Sequence, residues 1–370
     1  MQKTSAWPLS QLCVALIVYA SLYPFEQWRD QGIAPWSFLT APWPKYWTGF
    51  DVAANVLGYA PLGFFLTLSA MRMGWRGWVV LSSTLAAGLL SLVLEGLQSY
   101  LPARVPSQAD FLLNTLGAGL GASVASALEK LGWLYRWGQF KQRWFVRDAH
   151  MGLVLVVLWP VALLFPVAVP LGLGQVWERV EDGLTAAFEA TPFEDWIPLR
   201  GFELEPLLPG AELLCVVLGL LIPALLGFSV LRQAWQRGVC LCLLSGLALA
   251  MTGLSAALSY GPSHAWAWLN LPVMLGLGLG FVIAMVFVVA SARTCLAFLM
   301  LALLVQQSVL NQSPESAYFA QTLQTWEQGR FIRFNGLVQW LGWLWPYAAL
   351  LFALVRVSQE RPTDPRGVST

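Results

Sequence analysis

Long apolar runs broken by short polar stretches dominate this chain. Runs of about 17–25 residues are the length a helix needs to cross a bilayer. Ten segments meet that description, with soft edges: 9–25, 51–70, 77–99, 109–129, 151–171, 211–231, 238–258, 267–290, 294–310 and 335–355. The first follows Lys3 and ends near Ala20, so a cleaved signal peptide is its alternative reading. No strong small-x-small site follows it, which favours a retained anchor. Pro160, Pro166 and Pro170 are expected to kink or stop the fifth segment, because proline lacks the helix N–H.

The polar intervals carry their own patterns. Residues 131–149, LGWLYRWGQFKQRWFVRDA, are basic and aromatic, as expected of a stretch at a membrane surface carrying anionic lipid. They divide four apolar segments from six, giving an expected layout of 1–130, 131–149, 150–358 and a tail at 359–370. The interval 172–210 is acidic, and within it Val176, Val180, Leu184 and Phe188 recur every fourth residue. That spacing predicts a short amphipathic helix lying on the membrane surface. Phe319, Leu323 and Trp326 predict a second one within 311–334.

Composition agrees. Of 370 residues, 57% are hydrophobic and 11% charged, against about 25% charged in ordinary soluble domains. One aqueous core cannot hide that much apolar surface, so the chain is expected to be all-α, a polytopic membrane protein of about ten spans in two helical bundles. The net charge of +1 gives no field for nucleic acid. Fourteen of the 21 lysines and arginines fall on one side if the N-terminus starts inside. That asymmetry predicts both termini in the cytoplasm. Cys13, Cys215, Cys240, Cys242 and Cys295 all lie in apolar runs and read as small hydrophobes rather than metal ligands.

The candidate chemistry sits in residues 95–121, EGLQSYLPARVPSQADFLLNTLGAGLG, where two apolar runs meet through a polar turn. Charge is costly at membrane depth, so such a group is a functional-site hypothesis by default. Residues 51–58 and 110–117 repeat Asp-x3-Asn-x-Leu-Gly. Asp51, Asn55 and Gly58, and again Asp110, Asn114 and Gly117, therefore share a helix face, and the two helices run in the same direction. The third segment runs the other way. Glu95 lies about 26 Å along it from Trp78, near the outer edge of the hydrocarbon. Gln98 follows one turn on, Arg104 stands in the turn, and Ser107 is placed to cap the fourth helix. Three carboxylates and one guanidinium are thus expected at one outer-leaflet spot, where a proton, a cation or a cationic group completes the charge balance. Each part also has a plain structural use: Asp51 and Ser107 as caps, Glu95 with Arg104 as an ion pair, the asparagines as interhelical glue.

Asp51-x3-Asn55-x5-Pro61-x-Gly63, then Glu95-x2-Gln98, Arg104 and Asp110-x3-Asn114-x2-Gly117-x3-Gly121, resembles the VanZ-like membrane family over roughly residues 10–130. Tyr59 stands where that family often has phenylalanine. The resemblance implies a small multi-helix domain of the bacterial cytoplasmic membrane, linked in the family's namesake to low-level resistance to the lipid-tailed glycopeptide teicoplanin. Helix packing is expected at Gly58, Pro61, Gly63, Gly117 and Gly121, since small residues let another helix approach closely. The expected function is to bind a lipid-linked or amphipathic envelope molecule, with membrane lipids as partners and no cofactor. Its alternatives are an enzyme or transporter acting on a polyprenyl-phosphate-type lipid, and a scaffold for envelope assembly. His150 and His264 lie away from the motif, and HExxH, GxSxG and phosphate-loop patterns are missing from the sequence, which leans away from an enzyme.

Overall fold

The structure is a computed structural model describing residues 6–23, 25, 27–43, 49–75, 77–146, 148–189, 191, 204–313 and 332–358. Among these residues the protein is all-helical. Its helices are α1 (Ala6–Leu22), α2 (Gly49–Arg72), α3 (Val79–Gln98), α4 (Gln108–Lys130), α5 (Trp133–Trp144) and α6 (His150–Ala162). They continue as α7 (Trp177–Phe188), α8 (Pro209–Val230), α9 (Ala234–Tyr260), α10 (Leu271–Phe287), α11 (Ala292–Leu310) and α12 (Ile332–Ser358). The chain forms two compact units, Met1–Phe140 and Lys141–Thr370.

In the first unit the helices are built inside out. On α3, Leu81, Leu85, Leu89, Val93 and Leu97 recur every fourth residue and all face outward. The opposite face buries Ser83, Ala87, Gly88, Ser91, Glu95 and Gln98. α4 repeats the arrangement, with Leu112, Leu116, Leu120 and Val124 outside and Asn114, Gly117, Ala118, Gly121 and Ala122 inside. Water does not solvate such leucine faces; a bilayer does, and small residues inside let helices pack closely where lipid provides no hydrophobic drive. The protein is a polytopic membrane protein.

α2 and α4 run in parallel and touch backbone to backbone. A Cβ added at Gly117 would strike the Val56 backbone, one at Gly121 the Ala60 carbonyl, and one at Gly63 the Ala118 carbonyl. These three of the expected packing residues do pack. Gly58 and Pro61 do not: both are exposed, and nothing lies within 4 Å of a Cβ built on Gly58. The reason is angular. α2 turns Val56, Ala60 and Gly63 toward α4, and Gly58, two residues from Val56, falls some 200° around the helix. At the far end of the pair, Arg72 and Glu129 approach to 4.0 Å on an exposed surface, a contact worth little by itself.

The second unit is arranged around α8, whose residues Cys215–Val230 are all buried. A helix apolar on every side belongs at the centre of a bundle. Gly276 and Gly280 bring α10 against Val216 and Val217, and Gln306 of α11 donates from Nε2 to the Cys215 carbonyl (2.9 Å). Buried Arg237 donates to the carbonyls of Val288 (3.0 Å), Ala290 (2.6 Å) and Leu231 (3.3 Å), tying together the ends of α8 and α10. α7 forms where the four-residue repeat placed it. Phe319, Leu323 and Trp326 lie outside the described residues.

All ten apolar segments contain a helix, but seven are long and apolar enough to cross a membrane: α2, α3, α4, α8, α9, α11 and the 338–358 part of α12. α1, α6 and α10 are shorter. The segment expected at 151–171 departs furthest. α6 accepts Pro160 but stops at Ala162. Pro166 and Pro170 follow at once, and 163–176 form turns, bends and irregular chain that pack beside α8, with Leu171 against Gly219.

The α2–α4 contact makes a paired prediction. Gly121→Val forces the two backbones apart and is expected to destabilise the protein by about 1–3 kcal/mol. Gly58→Ala meets open space and gains helix propensity, so it is expected to be neutral or stabilising by up to ~1 kcal/mol. Thermal unfolding of both variants in detergent micelles checks this.

Candidate functional site

The polar end of the first unit is set by helix direction. α2 and α4 begin where α1 and α3 finish, so four helix ends share one level. Ser107 caps α4 in an extended conformation (φ −136°, ψ 131°), accepting from the Asp110 N–H at 3.4 Å. Its own backbone N–H donates to Glu95 Oε2 at 2.8 Å. Asn55 on α2 donates from Nδ2 to Asp110 Oδ1 at 2.7 Å. Glu95, Ser107, Asp110 and Asn55 therefore form one continuous chain of hydrogen bonds across α3, α4 and α2. Glu95 is only 4% exposed, and a buried carboxylate is tolerable when an amide donor is aimed at it. Asp51 stands one turn before Asn55 at the exposed start of α2.

Arg104 and Gln98 reach the end of α1. Arg104 donates from Nε and Nη2 to the Tyr23 carbonyl (3.1 and 2.5 Å) and from Nη2 to the Ala20 carbonyl (3.1 Å). Gln98 Nε2 donates to the Ser21 carbonyl at 3.1 Å. Both side chains are buried, and together they hold the last carbonyls of α1, which its own helix leaves unsatisfied. A cation there also suits the negative end of the helix dipole. The guanidinium, expected from the sequence beside carboxylates, thus spends these donors on backbone. Residues 27–41 lie over the same end: Gln31 donates to the Ser99 carbonyl at 2.7 Å, and the Trp36 ring stands 3.2 Å from a Cβ built on Gly96.

One turn deeper lies a neutral layer. Asn114 donates from Nδ2 to Ser91 Oγ at 3.0 Å, and Tyr59 brings its hydroxyl beside Ser91. Each helix supplies one residue to each layer four positions apart: Asn55 and Tyr59, Glu95 and Ser91, Asp110 and Asn114. Ser91 was not named from the sequence, and Tyr59 only as a departure from the family pattern it resembles. Their four-residue spacing from Glu95 and Asn55 is the signal that marks them. The two Asp-x3-Asn-x-Leu-Gly copies are not equivalent in space, because Asn55 reaches Asp110 across the helices whereas Asn114 reaches Ser91. Among the described residues no group of three or more His, Cys, Asp or Glu side chains is placed to hold a metal ion.

Residues 3–129 match the family model described as VanZ/LLP1. The match runs from the start of the first unit to the last residues of α4 and stops before α5, covering about a third of the chain. No curated protein and no solved structure matches the chain.

The Arg104 fork carries a prediction. Arg104→Ala leaves buried α1 carbonyls without donors and is expected to cost about 1.5–3 kcal/mol. Arg104→Lys is expected to recover less than half of that, because a single ammonium cannot reproduce the planar fork. Chemical unfolding in micelles, followed by far-UV circular dichroism, reads both values.

Proposed function

We propose that the first unit, with residues 3–129 matching VanZ/LLP1, binds the head group of a lipid-linked or amphipathic envelope molecule at its polar end. The observation that carries this reading is the chain Glu95–Ser107–Asp110–Asn55. It presents two carboxylates from different helices at one level of a membrane bundle. Purely structural capping needs only Ser107. Holding two carboxylates at this depth has a cost, and a ligand that hydrogen-bonds to carboxylates offsets it. The leucine faces of α3 and α4 are suited to receive the tail alongside.

In this reading the polar end faces the outer leaflet of the bacterial cytoplasmic membrane, with both termini in the cytoplasm, as the distribution of Lys and Arg favours. Recognition of a glycopeptide with a lipid tail belongs to the same chemistry, since such a molecule offers amines and amides to carboxylates and an acyl chain to the bilayer. Arg104 contributes to the frame of the site by donating to the carbonyls of Ala20 and Tyr23. Asp51 and Asp110 are the groups best placed to meet a ligand, with Glu95 and Ser107 behind them and Gln98, Arg104 and Asn114 holding the frame.

The test uses the full chain in nanodiscs with fluorescent undecaprenyl phosphate and, separately, with fluorescent teicoplanin. Wild type is expected to bind teicoplanin, whose amine and amides donate to carboxylates, and Asp110→Asn to bind it about tenfold more weakly, the loss of one charged hydrogen bond. The anionic phosphate lipid, which carboxylates repel, is not expected to lose affinity in that variant. Equal binding by wild type, Asp110→Asn and Glu95→Gln, with all three folded, overturns the site. Conversion or flipping of the lipid by wild type alone replaces binding with turnover or transport.

A further inference from the structure

The helix α5 has a surface the polar end does not account for. α4 is long and apolar enough to span a membrane and ends at Lys130; Leu131 and Gly132 then turn the chain, with Gly132 at φ +67°. α5 therefore begins at the membrane boundary. Over its twelve residues Trp133, Trp137, Phe140 and Trp144 fall at positions i, i+4, i+7 and i+11, one narrow stripe of a helix. Arg136 and Arg143 flank the stripe on one side and Lys141 on the other. Trp133 is 55% exposed and Trp137 58% exposed. The Trp137 and Phe140 rings stack with centroids 5.4 Å apart, while Trp144 packs edge-on against Trp235 at 4.9 Å.

Aromatic rings of this kind settle at headgroup depth, and cations beside them reach lipid phosphates. We propose that α5 lies in the membrane interface and binds the head groups of anionic phospholipids, its aromatic stripe entering the leaflet and Arg136, Lys141 and Arg143 holding phosphate. α7 shows why charge decides the partner. It too exposes an apolar stripe, through Trp177, Val180 and Leu184, but Glu178, Glu181 and Asp182 surround it. An anionic surface repels α7 and attracts α5. The stripe and the cations occur together on α5 alone of these two helices, and an acidic leaflet satisfies both.

Hydrogen exchange of residues 133–144, measured on the full chain in nanodiscs, tests this. Discs of phosphatidylcholine are compared with discs that also contain phosphatidylglycerol. The expected result is amide exchange at least about tenfold slower with phosphatidylglycerol, reversed by high salt. In the triple variant Arg136→Gln, Lys141→Gln, Arg143→Gln the two discs are expected to give one rate. Because those side chains lie on the surface, the thermal unfolding midpoint is expected to stay at the wild-type value. Identical exchange of wild type in both discs overturns the proposal. So does protection that rises with protein concentration instead of lipid charge, which assigns the stripe to a second copy. Asp110→Asn is expected to leave the exchange of α5 unchanged, which keeps this result separate from the polar end.

Discussion

The closest approach in the first unit is between two backbones, not two side chains. Gly63, Gly117 and Gly121 leave one side of each contact between α2 and α4 without a Cβ. Lipid tails are as apolar as leucine, so nothing drives helices together by hydrophobicity at that depth. Close van der Waals contact and a few interhelical hydrogen bonds have to suffice. The parallel pair then fixes the level of everything polar. With α2 and α4 locked in register, Asn55 meets Asp110, and α3, running the other way, ends with Glu95 at the same height.

The polar end satisfies its charges with backbone as much as with side chains. Glu95 receives an amide N–H at the start of α4, and Arg104 gives its fork to the end of α1. These are the two ends of the helix dipole, used with the matching sign of charge each time. The second unit repeats the device without a carboxylate. Arg237 is buried against the last carbonyls of α8 and the turn after α10. In both units an arginine joins helix ends that would otherwise leave unsatisfied carbonyls in a medium without water.

The two units differ in what they keep inside. α8 is buried among apolar neighbours, with the Gln306 side chain as a polar intrusion. The interior of the first unit is small and polar where its exterior is leucine. A membrane bundle needs few polar contacts to hold together, and the first unit has two successive layers of them at one end. That pair of layers is the feature on which the proposed binding at the first unit rests.

Much of this was legible in the residues themselves. Helical class, the positions of all ten apolar segments, the parallel course of α2 and α4, and the gathering of Asn55, Glu95, Ser107 and Asp110 follow from periodicity, length and spacing. Those properties are local, or alternate with each crossing of the bilayer. The rest depended on angles and distances that no linear pattern carries. Gly58 and Gly117 occupy the same place in the repeat, yet only Gly117 faces a neighbour, because the rotation of α2 about its axis is set by packing against α4. Arg104 was readable as a charge among charges. Its attachment to Ala20 and Tyr23 arises only when α1 folds back beside the turn. α6 gave up half of its expected segment to a non-helical stretch packed beside α8. The sequence by itself determined which stretches become helices and which of their ends carry charge, since hydrophobic length and proline act on the chain directly. The tertiary structure alone decided which face each helix shows its neighbour and which partner each buried polar group takes, since both depend on the closest approach of separate backbones.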